Sequence, residues 1–159
     1  EALNGNDVGL MSEAGTPCVA DPGSLIVELA HQAGIKVVPL TGPNAMILAL
    51  MASGFNGQAF CFHGYLPIKS PERSNAIKNL ERRSAANNET QMFIETPFRN
   101  NAMIEELAKT CHPNTMLCVA CNISMPDEEI VSKPISEWKK IKKDWNKRPA
   151  VFLIYKNRY

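Results

Sequence analysis

The chain has 159 residues, of which 45% are hydrophobic and 21% charged, and its formal net charge is +1. That balance is globular and excludes a disordered chain, and no apolar run approaches the ~20 residues that span a bilayer. The start, Glu1-Ala2-Leu3-Asn4, lacks the basic and apolar stretches of a secretory signal.

Asp7 to Ser12 reads as a buried strand, followed by a loop from Glu13 to Pro22 rich in Gly, Pro and small residues. Asp21-Pro22 supplies an N-cap and a proline for the first helical turn. Leu25, Ile26, Leu29 and Ala30 then recur at helical spacing up to Gly34. Ile35 to Leu40 is the next strand. Thr41-Gly42-Pro43 turns into an apolar helix, Asn44 to Ser53, closed by Gly54. Strand, loop, helix, strand, loop, helix, with both strands lacking clean alternation, is the pattern of a parallel sheet with crossover helices.

Beyond a boundary at Asn56-Gly57-Gln58 the pattern changes. Strands are expected at 59–63, 90–95, 115–121, 129–132 and 150–155. Helices are expected from Ser70-Pro71 to about Ala86, from Thr96-Pro97 to about Thr110, and over 135–142. The reading is therefore α/β with two lobes: a parallel-sheet lobe over 1–57 and a mixed-sheet lobe over 58–159.

Several chemistries lack their residues. There is no G-x-x-x-x-G-K-[ST], no G-x-G-x-x-G after a strand and no G-x-S-x-G. Five cysteines, at 18, 61, 111, 118 and 121, form no paired framework and suit a reducing cytoplasm. Cys118-Val119-Ala120-Cys121 is a C-x-x-C, but residues three apart on a strand face opposite ways, so no metal is expected there. His31, His63 and His112 read as ordinary surface or rim residues, with His63 the most notable because Gly64-Tyr65-Leu66-Pro67 follows it.

In open α/β sheets, ligands bind beyond the carboxyl ends of the strands. Those ends carry Glu13 to Gly23 and Thr41 to Ala45. Both loops are built from small residues that allow close backbone approach, and neither is strongly cationic. They suit a ligand of low net charge, or they are simply tight turns. Charge is divided unevenly: residues 1–68 hold one basic residue, Lys36, and five acids, while residues 69–159 hold 16 basic and 11 acidic residues. Such a surface can face a polyanion, and scattered solvated charges give the same count. Trp138 and Trp145, at helix-like spacing, are core anchors or stacking platforms for bases.

Met11-Ser12-Glu13-Ala14-Gly15-Thr16-Pro17-Cys18-Val19-Ala20-Asp21-Pro22-Gly23 resembles the S-[DE]-A-G-T-P-x-x-x-D-P-G loop of the tetrapyrrole methylase superfamily. It is most similar to the branch that methylates a cytidine ribose 2′-hydroxyl in small-subunit ribosomal RNA. Val37 to Ala45, Ala52-Ser53-Gly54, Phe62 to Pro67 and Ile94 to Arg99 resemble that branch's V-V-P-L-P-G-P-S-A, A-S-G, F-x-G-F-L-P and Y-E-S-P-H-R segments, in the same order. The resemblance implies two α/β lobes, a homodimer, and S-adenosylmethionine (SAM), which leaves as S-adenosylhomocysteine. By position it places Ala14, Gly15, Thr16 and Val19 against the cofactor, with Asn44 and Ala45 beside them. Glu95 falls at the methionine or adenine part, and Ile123 and Ala150 near the adenine. It assigns no catalytic base and no metal. It implies ribosomal RNA as acceptor, with a tetrapyrrole acceptor or a non-catalytic module as alternatives.

The chain departs from the branch at three places. The first strand and the G-x-P-[IL]-G-N loop have no counterpart, so a piece of a longer protein is expected. The A-R-E-L-T-K segment reads Ala120-Cys121-Asn122-Ile123-Ser124-Met125, and the histidine of Y-E-S-P-H-R is Phe98.

Overall fold

The computed structural model describes residues 1–156 and divides the chain into two compact units, Glu1–Ala45 and Met46–Tyr159. The sequence boundary near Gly57 falls twelve residues later. The difference is a helix, α2 (Ala45–Ser53), whose Ala49 and Leu50 are buried among strand residues of the second unit.

The first unit is mostly loop. It holds a short 3-10 turn (Ala2–Asn4) and one helix, α1 (Ser24–Gln32). The helix begins after Gly23 rather than at Asp21, because residues 17–22 are taken up by turns in which Cys18 and Ala20 have positive φ. Gly23 itself stands at φ +130°, and a Cβ there would lie 2.7 Å from Leu10 Cδ2 and 3.0 Å from Cys18 Sγ, so a glycine is required. Gly34 ends the helix as expected, its N–H donating to the His31 carbonyl. The runs 7–12 and 35–40 are not strands: neither pairs in a ladder among the described residues. A strand is defined by its neighbour, and an apolar run without one stays an isolated segment.

The second unit is a five-stranded mixed sheet. Its strands are β1 (Phe60–Tyr65), β2 (Thr90–Ile94), β3 (Met116–Cys121), β4 (Glu129–Pro134) and β5 (Ala150–Tyr155), in the order β1-β2-β5-β3-β4. β1 and β2 are parallel, and β5 is antiparallel to both β2 and β3. It follows that β1, β2 and β3 all point the same way. The α/β class with a mixed sheet is thus as expected.

Alternation along the strands sorts the core into two faces. Phe93, Phe152, Leu117 and Val119 face α3 (Ser70–Asn87) and α4 (Asn100–Thr110), which contribute Ile77, Leu80, Met103 and Leu107. Met92, Leu153, Cys118 and Ala120 face α2. α3 follows Lys69, with Pro71 in its first turn, and Asn88 closes it in the left-handed conformation. Ser70 does not cap; its hydroxyl turns to Glu106 at 3.4 Å. Thr96 precedes a 3-10 turn, Pro97–Arg99, that leads into α4. The last helix, α5, is shorter than its pattern, Ile135–Trp138. Among the described residues, no helix is long and apolar enough to cross a membrane.

Candidate functional site

In the first unit, the two Gly/Pro-rich loops are tied by a hydrogen bond: Asn44 Nδ2 donates to Thr16 Oγ1 at 2.7 Å. Asn44 and Thr16 are therefore joined, and Ser12 folds the start of the loop by donating to the Ala14 carbonyl at 2.8 Å. Gly15 has φ +77° and nothing within 4 Å of where a Cβ would sit, so its backbone borders open space. Val19 is about half exposed, and its N–H donates to the Thr16 carbonyl at 3.4 Å. Ala45 is the first residue of α2.

In the second unit, the carboxyl ends of β1, β2 and β3 share one sheet edge with the starts of β4 and β5. Glu95 follows β2, Ile123 follows β3, and Ala150 opens β5 opposite Cys121. The topology brings these three candidates to the same edge. It does not give them one face: Ala150 packs in the α3/α4 core, and Ile123 packs against the α2 core. Asn122 and Ser124 have positive φ, and the Asn122 N–H donates to the Pro149 carbonyl, which anchors this turn to the β5 entry.

Glu95 is the best-defined group at this edge. Its side chain is 1% exposed. Oε1 accepts from Arg99 Nη2 at 2.6 Å, Arg99 Nε at 3.0 Å and the Thr96 N–H at 2.6 Å. Oε2 is buried and has no hydrogen-bond partner. Buried carboxylate oxygens are rarely left so, and this one is open to a donor. Arg99 is a residue whose role the sequence reading missed. Its signal was the four-residue spacing from Glu95 within Ile94-Glu95-Thr96-Pro97-Phe98-Arg99. The next residue, Asn100, is equally structural: its Nδ2 donates to the carbonyls of Trp145 and Arg148, both at 2.8 Å, and pins the segment before β5.

Other candidates take structural parts. Cys118 and Cys121 lie on opposite faces, and burial pushes their thiols up to about 12 and about 11. Thiols held neutral near pH 7 are poor nucleophiles and poor ligands. His63 is bound to Gln91 Oε1 at 2.7 Å through Nε2. Trp138 and Trp145 are each 2% exposed, their rings 5.5 Å apart, and Trp138 Nε1 donates to the Leu117 carbonyl at 3.0 Å. They are core anchors and offer no face for a base. Part of the basic surface is also committed: Arg83 chelates Glu89, Arg73 lies 3.7 Å from Glu106, and Arg148 and Lys143 share Glu129.

A mixed α/β chain with paired small-residue loops and a buried acidic edge matches a known family over most of its length. The profile of the Tetrapyrrole (Corrin/Porphyrin) Methylases covers residues 1–139, and the chain belongs to that family. Among curated proteins it is 36% identical over 153 residues to "Ribosomal RNA small subunit methyltransferase I" of Escherichia coli O157:H7, covering 94% of this chain and 51% of the relative. To the protein of the same name from Vibrio cholerae it is 33% identical, covering 99% and 54%. The chain thus spans about half the length of the curated relatives it matches. The fold is shared with the methyltransferase CobJ, at a TM-score of 0.56 and 20% identity, over 89% of this chain and 61% of that one. It is also shared with a uroporphyrin-III C-methyltransferase from Thermus thermophilus in complex with S-adenyl homocysteine, at a TM-score of 0.51 and 16% identity, over 89% and 63%.

Proposed function

We propose that the intact protein is a SAM-dependent methyltransferase of small-subunit ribosomal RNA, acting on a ribose 2′-hydroxyl, as a cytoplasmic homodimer with lobes over 1–57 and 58–159. The observation that carries the cofactor part is the Thr16–Asn44 hydrogen bond, which joins the two family loops. The names of the curated relatives support the acceptor. They favour RNA over the tetrapyrrole reading, as does the lysine-rich run from Lys139 to Lys143.

The residues present fit such a cofactor. Gly15 borders open space where a side chain would intrude, and Glu95 holds a buried acceptor without a donor. The ammonium, ribose hydroxyls and adenine amino group of SAM are all donors. When bound, the cofactor supplies a methyl group made electrophilic by its sulfonium. Ala14 and Gly15 would present backbone groups, Thr16 a hydroxyl oriented by Asn44, and Val19 an apolar wall. Ala45 would hold its place beside Asn44. Glu95, fixed by Arg99, would accept one donor, and Ile123, with the backbone at Ala150, would border the adenine. Orientation and exclusion of water are what a protein contributes to such a transfer.

Isothermal titration of the intact protein with SAM tests the cofactor reading. A one-site binding heat is expected, and its absence rejects both the RNA and the tetrapyrrole enzyme. Primer extension at low nucleotide concentration on ribosomal RNA from a deletion strain tests the acceptor. Loss of one ribose-methylation stop is expected, and an unchanged pattern rejects it.

A further inference from the structure

The second unit carries a concavity that the cofactor residues do not use. It measures about 460 Å³ and lies between one face of α4 and the connector that follows α5. Ile104, Trp138 and Trp145 form its buried walls, and four lysines, Lys109, Lys139, Lys142 and Lys143, stand along it with one carboxylate, Glu105. We propose that this groove docks the phosphodiester backbone of RNA and so anchors the substrate of the methyl transfer. The proposal rests on the ribosomal RNA reading and gives it a place on the molecule.

The state of the cations supports this. Lys139 and Lys142 are exposed and form no ion pair among the described residues. Lys109 has only a 3.8 Å contact with Glu105, both side chains at least 70% exposed. Such a contact contributes little. Lys143, in contrast, is held by Glu129 and lies 5.4 Å over the Trp145 ring, so it shapes the wall rather than waiting for a ligand. Lys140 adds a further exposed ammonium to the same run.

The walls are tied by hydrogen bonds where the cations are exposed. Trp138 is fixed by its bond to Leu117, and Asn101 holds the connector by accepting from the Trp145 N–H at 2.8 Å. A small anion is poorly served here, because the three lysines are solvated and none is buried and aimed inward. A polyanion is well served, since each ammonium meets a different phosphate and the condensed counterions are released together. Base recognition is not expected, as both indole rings are covered. The groove positions RNA and reads no sequence.

The test is a salt titration of binding between the intact protein and a small-subunit ribosomal RNA fragment. It compares the wild type with the triple variant Lys109→Ala, Lys139→Ala, Lys142→Ala, and with the matching Lys→Arg triple. Each phosphate contact contributes roughly 0.7 to 0.9 to the slope of log K against log salt. The alanine triple should therefore lower that slope by about 2 to 3 and weaken binding at least ~10-fold at low salt. The arginine triple should keep both. SAM affinity, read by calorimetry, should be unchanged in all three, and this also reports that the variants are folded. An unchanged slope in the alanine triple beside a steep wild-type slope overturns the groove alone. A wild type that binds this RNA without salt dependence, or not at all, overturns the ribosomal RNA reading and the groove with it. An alanine triple that loses SAM binding as well as RNA binding overturns the assignment of these lysines to RNA.

Discussion

Two six-residue apolar runs, Ile35 to Leu40 and Ala150 to Tyr155, look alike in the sequence and behave oppositely in the structure. The second becomes the central strand β5, paired on both sides, with Phe152, Leu153 and Ile154 fully buried. The first joins no ladder among the described residues, and its Leu40 is 86% exposed. The contrast extends to the whole units. No residue of 1–45 is fully buried, and α1 leaves Leu25, Ile26 and Leu29 open, whereas α3 and α4 bury their apolar stripes. Composition and period specify that a segment wants to be covered, but the ladder and the covering layer decide whether it is.

The largest test of this contrast is a pair of truncations in the 159-residue chain, read by urea unfolding. Phe152 is fully buried and its ring lies 5.5 Å from that of Phe93. Phe152→Ala should cost about 3–5 kcal/mol. Leu40→Ala should cost less than about 0.5 kcal/mol, as for an exposed site. A loss of ~2 kcal/mol or more at Leu40 would show that this run is covered in solution and would erase the distinction between the units.

Next in size is the acidic edge. Arg99→Met removes the side-chain cation bound to Glu95 and, among the described residues, leaves a buried carboxylate with the Thr96 N–H as its donor. Breaking such a pair should cost about 2–4 kcal/mol. The double variant Arg99→Met, Glu95→Gln should recover part of that loss. No recovery would mean that Arg99 matters through packing, and that Glu95 is not the charged acceptor described here.

In the first unit, stability should respond less than binding. Gly15→Val forces a side chain into φ +77° and into the space its backbone borders. SAM affinity of the intact protein should fall at least ~10-fold, a loss of about 1.4 kcal/mol in binding. Unaltered affinity would remove Gly15 from the cofactor loop.

Much of this was legible in the residues because local chemistry and outcome agreed. The Pro71 helix start, the Gly34 stop and the β5 run each appear where the pattern put them, while Pro97 opens a 3-10 turn three residues ahead of α4. The illegible parts depended on distant neighbours. Nothing in Asp7 to Ser12 says whether a ladder partner is present. Nothing in Asp21-Pro22 says that Cys18 and Ala20 will take up the turn first. At the sheet edge, the motif gave Glu95, while Arg99 required knowing that the turn through Pro97 folds the guanidinium back onto the carboxylate. The same limit applied to charge. A count of 16 basic residues does not separate Arg83 and Arg148, spent on carboxylates, from Lys139 and Lys142, which are not.

The smallest expected effect is a pH dependence that belongs to the second unit. Glu89, Glu106 and Glu129 all lie there, and all are held below the usual carboxylate range. The largest cause is a side-chain hydrogen bond in each: from Arg83 to Glu89, from Ser74 to Glu106 and from Lys143 to Glu129. A carboxyl whose folded pKa is depressed binds its proton more readily in the unfolded chain. Its contribution is complete above the unfolded value, near ~4.3 for Glu, and is lost as pH falls through the lower folded value. Unfolding free energy should therefore stay level from pH 7 to about 5 as far as these groups are concerned, then decline. Glu129→Gln should make the acid limb shallower, because one linked proton is removed. A limb equally steep in that variant and in Glu89→Gln would show that acid acts elsewhere, and that these ion pairs add nothing to the stability difference between the two units.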